Sequence, residues 1–130
     1  MENLVEALER GDTLAEVQGI TQEIGDAIAR LAEAELESGR VETARAILEG
    51  LVVTNHRDPA AWALLSGAHR QLGNPLAARF CAEVAAKLAP EDPHVRLVRA
   101  ESLLAAPDGR EAAKAELDAL ARGDDPAVGP

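Results

Sequence analysis

Three histidines and one cysteine are the nitrogen and sulfur side chains of this 130-residue chain of the kind that bind zinc most often. His56, His69 and His94 are widely separated in the sequence, and no cysteine lies at the short spacing that zinc sites use. Cys81 follows Phe80 among alanines, with no general base evident near it. The sequence therefore predicts no metal site, and it predicts that Cys81 is a small buried hydrophobic residue rather than a nucleophile.

Acidic side chains alternate along one predicted helix at Glu33, Glu35 and Glu37. Residues two apart on a helix point in different directions, so this spacing does not produce a carboxylate pair for acid–base catalysis. The glycine of the segment 73–75 belongs to a Gly-Asn-Pro turn and not to a phosphate-binding loop. Because no nucleophile, base and orienting group occur together, we expect a protein that is not an enzyme and needs no cofactor.

The composition favours helices over sheets. Hydrophobic residues make up 47% of the chain but aromatic residues only 2%, and the apolar side chains are mostly Ala, Leu and Val. Ala and Leu are strong helix formers, and no segment shows the alternation expected of a strand. We therefore predict an all-α domain of closely packed helices.

The charge distribution and the N-terminus exclude several partners. The net charge is −10, the first 37 residues carry ten acidic and two basic side chains, and no stripe of Lys or Arg occurs. Binding to nucleic acid or to an anionic membrane is therefore not expected. No apolar run approaches the ~18 residues of a membrane span, and no signal peptide is visible. With a single cysteine, these features predict a cytoplasmic protein without direct membrane insertion.

The sequence repeats itself with a period of about 34 residues, a length typical of architectures in which each unit is one supersecondary element. We predict three units, at about 25–58, 59–92 and 93–123, each made of two helices. The matching positions are Asp58 and Asp92, Pro59 and Pro93, Leu31 and Leu65, Gly39 and Gly73, and Ala44, Ala78 and Ala112.

Each unit carries signals for where its helices start and stop. Asp58 and Asp92 can each cap a helix whose first residue is proline. Gly73 marks the turn of the middle unit, whereas Gly109 in the third unit comes two places late, which indicates an altered turn. One side of the second helix in the middle unit is formed by Ala78, Cys81, Ala82 and Ala85.

Trp62, the only tryptophan, begins the stretch WALLSGAHRQLG. With Leu65 it lies at helical spacing on the first helix of the middle unit, where a large ring is expected to fill the gap between that helix and its partner. We therefore predict a packing role for Trp62. The neighbours Ala63, Gly67 and Arg70 should point the other way.

The predicted domain organisation has three parts. Residues 1–20 form an N-terminal helical segment, residues 21–122 hold the three helix pairs, and residues 123–130 are a flexible tail. The N-terminal segment has apolar residues at helical spacing. It either caps the first unit or makes a homodimer contact, and the sequence leaves both open. Its apolar residues are Leu4, Val5, Leu8, Leu14, Val17 and Ile20.

The middle unit is similar to a tetratricopeptide repeat, on the pattern Trp62-x2-Leu65 … Gly73 … Ala78 … Ala85 … Pro90. Ser66 stands where that family usually has Gly, His69 where it usually has Tyr, and Ala82 where it usually has Phe or Tyr. In the third unit, Arg99 stands at a usual Leu position. The resemblance implies a superhelix of three helix pairs, preceded by an N-terminal helix or helices, with a concave face lined by the first helix of each pair.

A narrower resemblance covers roughly residues 11–120. The start at Gly11, Thr13 and Leu14, the Gly-Ile-Thr step at 19–21 and the segment AESLL at 100–104 look like the class II chaperones of bacterial type III secretion. That resemblance implies a cytosolic chaperone that holds a hydrophobic translocator subunit before export, by binding an extended segment in the concave groove. The alternative is a generic tetratricopeptide scaffold that joins folded proteins in a larger assembly.

The repeat register predicts which side chains face the groove. They occupy the second, fifth, ninth and twelfth places of each unit, and small residues there let a peptide backbone approach closely. We predict a partner-binding groove at Ala29, Glu33, Leu36, Ala63, Gly67, Arg70, Leu97, Glu101 and Leu104, with Asp26, Ala60 and His94 at the remaining places.

Overall fold

The computed structural model describes residues 4–13, 19, 21–105 and 110–123. In this part of the chain all regular secondary structure is helical, and seven helices follow one another. They are α1 (Leu4–Glu9), α2 (Gln22–Glu37), α3 (Val41–Thr54), α4 (Pro59–Gln71), α5 (Pro75–Leu88), α6 (Pro93–Leu104) and α7 (Arg110–Arg122).

Side-chain caps fix where the first helix of each pair begins. Thr21 Oγ1 accepts a hydrogen bond from the backbone amide of Ile24 at 3.2 Å, before α2. Asp58 accepts from the amide of Ala60 at 3.0 Å, and Asp92 from the amide of His94 at 2.8 Å. The predicted aspartate caps of α4 and α6 are therefore confirmed, because these carboxylates satisfy amides that have no partner inside the helix.

Six of the helices stack as three antiparallel pairs, α2 with α3, α4 with α5, and α6 with α7. Each second helix packs on the first helix of the next pair, and α4 contacts both α2 and α6. The first helices α2, α4 and α6 therefore line one side of the stack. This arrangement confirms the predicted all-α superhelix of three helix pairs preceded by an N-terminal helix.

Two apolar clusters hold the stack together, and alanine dominates where helices approach most closely. The first joins α2, α3, α4 and α5 through buried residues such as Ala32, Leu48 and Leu65. The second joins α4, α5 and α6 through residues such as Ala63 and Val95. The α4 helix belongs to both clusters and connects the repeats.

Trp62 packs against both clusters. Its Nε1 donates a hydrogen bond to the carbonyl oxygen of His56 at 2.8 Å. Its ring meets Phe80 edge to face, with centroids 6.1 Å apart and planes at 75°. The ring therefore packs between α4 and the helices beside it, as its repeat position predicts.

Two of the departures from the usual repeat pattern, Ser66 and Ala82, have structural reasons. Ser66 is buried, and its hydroxyl donates to the carbonyl oxygen of Ala78 at 2.6 Å, which ties α4 to α5. Ala82 is fully buried in the second cluster, where the ring of a Phe or Tyr is replaced by direct contact between helices.

The third pair departs from the repeat period. The step from Ala44 and Ala78, both fully buried, predicts burial of Ala112, but Ala112 is exposed and Ala113 is buried instead. The helix α5 begins 34 residues after the start of α3, which is one full period. The helix α7 begins 35 residues after the start of α5, which is one residue more than a period. One additional residue before α7 rotates its buried face by one position, about 100°.

Ion pairs connect neighbouring helices in the last two repeats. Arg96 of α6 is buried and pairs with Glu116 of α7. Arg99 Nε of α6 lies 2.9 Å from Glu83 Oε1 of α5. The position of Arg99, where a repeat usually has leucine, is thus used for a charge contact on the outside of the core.

Several predictions about the N-terminal segment and the tail fall outside the described residues. These concern Leu14, Val17, Ile20 and the tail 124–130. On α1, the side chain of Val5 is 61% exposed. The homodimer contact stays a prediction. No helix in the described part of the chain combines the length and the hydrophobicity needed to cross a membrane.

Candidate binding groove

A cavity of about 140 Å³ opens between α4 and α6 and reaches the end of α2. Its apolar walls combine two buried side chains, Ala63 and Val98, with two half-buried leucines. Its polar rim is formed by side chains that are exposed or half exposed. Among the described residues, the cavity is lined by Leu36, Ala63, Leu64, Gly67, Arg70, His94, Val98 and Glu101.

Helical spacing brings these residues to one place. Ala63, Gly67 and Arg70 follow one another at steps of four and three along α4, so they share one face of that helix. His94, Val98 and Glu101 repeat the same spacing on α6. Because α4 contacts α6 directly, the two faces form opposite walls of the cavity.

Arg70 and Glu101 connect the two walls. Arg70 Nη2 lies 3.1 Å from Glu101 Oε2, and the two side chains are 42% and 35% exposed. At this exposure an ion pair contributes only about 0–1 kcal/mol to stability. The ion pair matters more for the charge of the groove than for stability, since the two charges neutralise each other at the rim where α4 meets α6.

The structure brings five of the nine predicted groove residues to this cavity: Leu36, Ala63, Gly67, Arg70 and Glu101. The other four lie on the same helices but outside the cavity lining. Ala29 is half-buried against the first cluster, and Glu33 is exposed one turn before Leu36. Leu97 and Leu104 are 41% and 50% exposed on α6, one turn before and after Glu101.

Leu64 and Val98 line the cavity but are absent from the predicted groove set. Val98 lies four positions after His94 and three before Glu101, so a helical wheel of α6 would have placed it on the same face. For Leu64 no such signal exists, because its place in the repeat predicts a position beside the groove rather than in it.

A second cavity of about 450 Å³ lies between the start of α2 and the end of α3. It is larger, but it shares no residue with the groove. Two glycines inside helices line it, Gly25 and Gly50. The remaining lining residues are Thr13, Thr21, Gln22, Ile28, Ile47, Leu51, Thr54 and Asn55.

The thiol and the metal-binding side chains have ordinary structural surroundings. Cys81 is 3% exposed in the first cluster, where burial and the nearby charge of Glu49 raise the pKa of its thiol to about 11. Thiolate formation near neutral pH is therefore suppressed. Among the described residues, no three His, Cys, Asp or Glu side chains form a group that could hold a metal ion.

Comparison with known proteins identifies the repeat. Residues 4–67 match a family model described as tetratricopeptide repeat. Comparison with curated protein sequences gave no match. The repeat period and the helix pairs agree with the family-model match, and the chain has the tetratricopeptide-repeat fold.

Solved structures with a similar fold come from type III secretion systems. A chain from a type III secretion system complex of Aeromonas hydrophila is 21% identical, with a TM-score of 0.81 over 96% of this chain and 84% of that one. The type III secretion translocator chaperone SycD of Yersinia enterocolitica is 20% identical, with a TM-score of 0.67 over 85% of this chain and 97% of SycD.

A third similar structure is PcrH solved in complex with the chaperone binding region of PopD, which is 22% identical to this chain. Its TM-score is 0.72, over 84% of this chain and 83% of that one. At these identities the comparison establishes the fold. This protein therefore shares its fold with these chaperones over most of the chain.

Proposed function

We propose that this protein is a cytosolic chaperone of type III secretion that binds an extended segment of a hydrophobic translocator subunit before export. The observation that carries this proposal is the cavity between α4 and α6, which gathers five predicted groove residues on helices lining one side of the stack. The similar structures support the partner class: PcrH was solved with chaperone binding regions of PopD and PopB, and SycD with a peptide of YopD.

The apolar surface of the groove is sufficient for peptide binding of moderate strength. Beside the cavity, Leu97 and Leu104 are each about half exposed along α6, where a bound segment would cover them. Burying one Leu-sized side chain contributes ~1.5–3 kcal/mol before ordering costs, and micromolar binding requires about 8 kcal/mol. Three contacts reach that figure only at the upper end of the range and before ordering costs, so micromolar affinity requires more than three apolar contacts along the groove.

The charges of the groove favour a segment that carries a charge and binds in one direction over a purely apolar segment. Arg70 and Glu101 neutralise each other at the rim, whereas Glu33 is exposed on α2 one turn from Leu36. The α2 end of the groove is therefore negative and the middle is neutral. A segment with a basic residue near its α2 end would be favoured, because its charge would meet Glu33.

Co-expression with a translocator subunit from the same organism tests the proposal. The wild-type protein should keep that subunit soluble and copurify with it. Leu97→Asp places a charge on the groove helix and should abolish both effects without loss of helical circular dichroism. The matched control is Leu76→Asp, since Leu76 is 85% exposed on α5, and it should behave like the wild type.

The scaffold alternative uses a different surface. Leu76 and Phe80 are 85% and 63% exposed, one turn apart on α5, on the side opposite its buried alanines. A folded partner could dock there. If Leu76→Asp abolishes partner binding and Leu97→Asp leaves it intact, the groove assignment is wrong and the scaffold function is favoured.

A further inference from the structure

Three glycines lie inside helices at positions where the fold does not require glycine: Gly25 in α2, Gly50 in α3 and Gly67 in α4. None of them has a positive φ angle. A Cβ atom added to any of the three would meet no atom of a neighbouring element within 4 Å. Alanine would therefore fit, and it would stabilise the helix, because glycine in a helix interior costs backbone entropy.

Close packing of helices does not explain Gly67. Although α4 contacts α6, the space beside the Gly67 Cα is empty, and that space is part of the cavity between the two helices. Gly67 thus keeps cavity volume at the expense of helix stability. A residue that lowers stability while leaving a binding cavity open is expected where the open space has a use.

We propose that Gly67 is a specificity-determining residue of the groove, whose missing Cβ leaves room for one aliphatic side chain of the bound segment. This inference rests on the proposed function, because the side chain that enters belongs to the bound segment. The cavity of about 140 Å³ is close to an engineered apolar cavity of about 150 Å³ that holds benzene. A Val, Ile, Leu or Met side chain fits this volume.

The walls also select against a charged side chain. Leu36, Leu64 and Val98 offer no hydrogen bond to a group inside the cavity. At the rim, Arg70 is already paired with Glu101. A charged side chain would lose its hydration against these apolar walls, whereas an aliphatic side chain gains apolar contact with them, so an aliphatic side chain is favoured.

Selection from a phage-displayed library of random dodecapeptides tests the inference on the full-length protein. Wild type and the matched control Gly50→Ala should both enrich peptides with Val, Ile, Leu or Met at one fixed position. Gly67→Ala should lose that preference, and the selected peptides should bind it about tenfold more weakly or worse. Both alanine variants should melt roughly 2–5 °C higher than wild type, so unfolding cannot explain the loss.

Three results would overturn the inference. If Gly67→Ala keeps the same preference, with Kd values within about twofold of wild type, the cavity does not select the side chain although the groove still binds peptides. If Gly67→Ala lowers the melting temperature, the fold does need glycine at this position. If the wild-type protein enriches no peptide over an uncoated surface, the proposed function itself fails and the inference fails with it.

Discussion

Replacing Trp62 by alanine should lower the free energy of unfolding by about 3.5 kcal/mol. Removing a fully buried aromatic ring costs ~3–5 kcal/mol, and the half-buried ring of Trp62 should account for about 2 of this. The lost hydrogen bond from Nε1 to the carbonyl of His56 adds ~1 kcal/mol. The edge contact with Phe80 adds about 0.5 kcal/mol, because Phe80 is itself mostly exposed.

Urea denaturation followed by far-ultraviolet circular dichroism measures these contributions separately. Trp62→Phe keeps a ring between the clusters and loses the hydrogen bond, so it should cost about 1 kcal/mol. Phe80→Ala removes the edge contact and should cost about 0.5 kcal/mol. If Trp62→Ala costs less than about 1 kcal/mol, or if the phenylalanine variant is as unstable as the alanine variant, the ring does not join the two clusters as described.

Three further predictions concern side chains outside the groove. Glu116→Ala removes one carboxylate that binds the buried Arg96 and should destabilise the protein by about 2 kcal/mol in urea denaturation, the loss of a hydrogen bond between charged groups. A cost below about 0.5 kcal/mol would contradict the pairing. The wild type should exceed Cys81→Ala in free energy of unfolding by a margin that shrinks as the pH rises from 9 towards 11, because the thiol loses its proton at lower pH in the unfolded chain than in the folded protein. A margin that does not change with pH would show that the Cys81 thiol is not desolvated. Asp92→Ala should cost about 1 kcal/mol in thermal denaturation by removing the cap of α6, and a change within a few tenths would contradict the capping role.

The local signals of the sequence predict the fold because they act within one helix. Asp58 and Asp92 cap their helices through amides two or three positions away, and the prolines that follow begin those helices. The repeat period adds the pairing, since each unit repeats the same two helices. The positions of Ala63, Gly67 and Arg70 on one face follow from helical spacing alone.

Contacts between repeats could not be predicted in the same way. Arg70 and Glu101 belong to different repeats, and their ion pair depends on how α4 crosses α6. Leu31 and Leu65 occupy the same repeat position, yet Leu65 is 3% exposed and Leu31 is 54% exposed. The reason is that α3 covers Leu65, whereas no helix pair precedes α2 in the described part of the chain.

The rotation of α7 was also beyond the repeat pattern. The late Gly109 indicated an altered turn, but an unbroken period still places Ala112 in the core. One additional residue before α7 moved Ala113 there instead. A fixed period predicts the interior only while the connections keep their length.

Backbone amide chemical shifts, measured by NMR during titration with the bound segment of the translocator, test whether that segment lies in the groove between α4 and α6. If the segment lies in the groove, the largest changes should occur at Ala63, Gly67 and the neighbouring residues of α6. Changes concentrated around Leu76 and Phe80 on α5, with the α4 and α6 amides unaffected, would show that the segment binds the exposed face of α5 and not the groove.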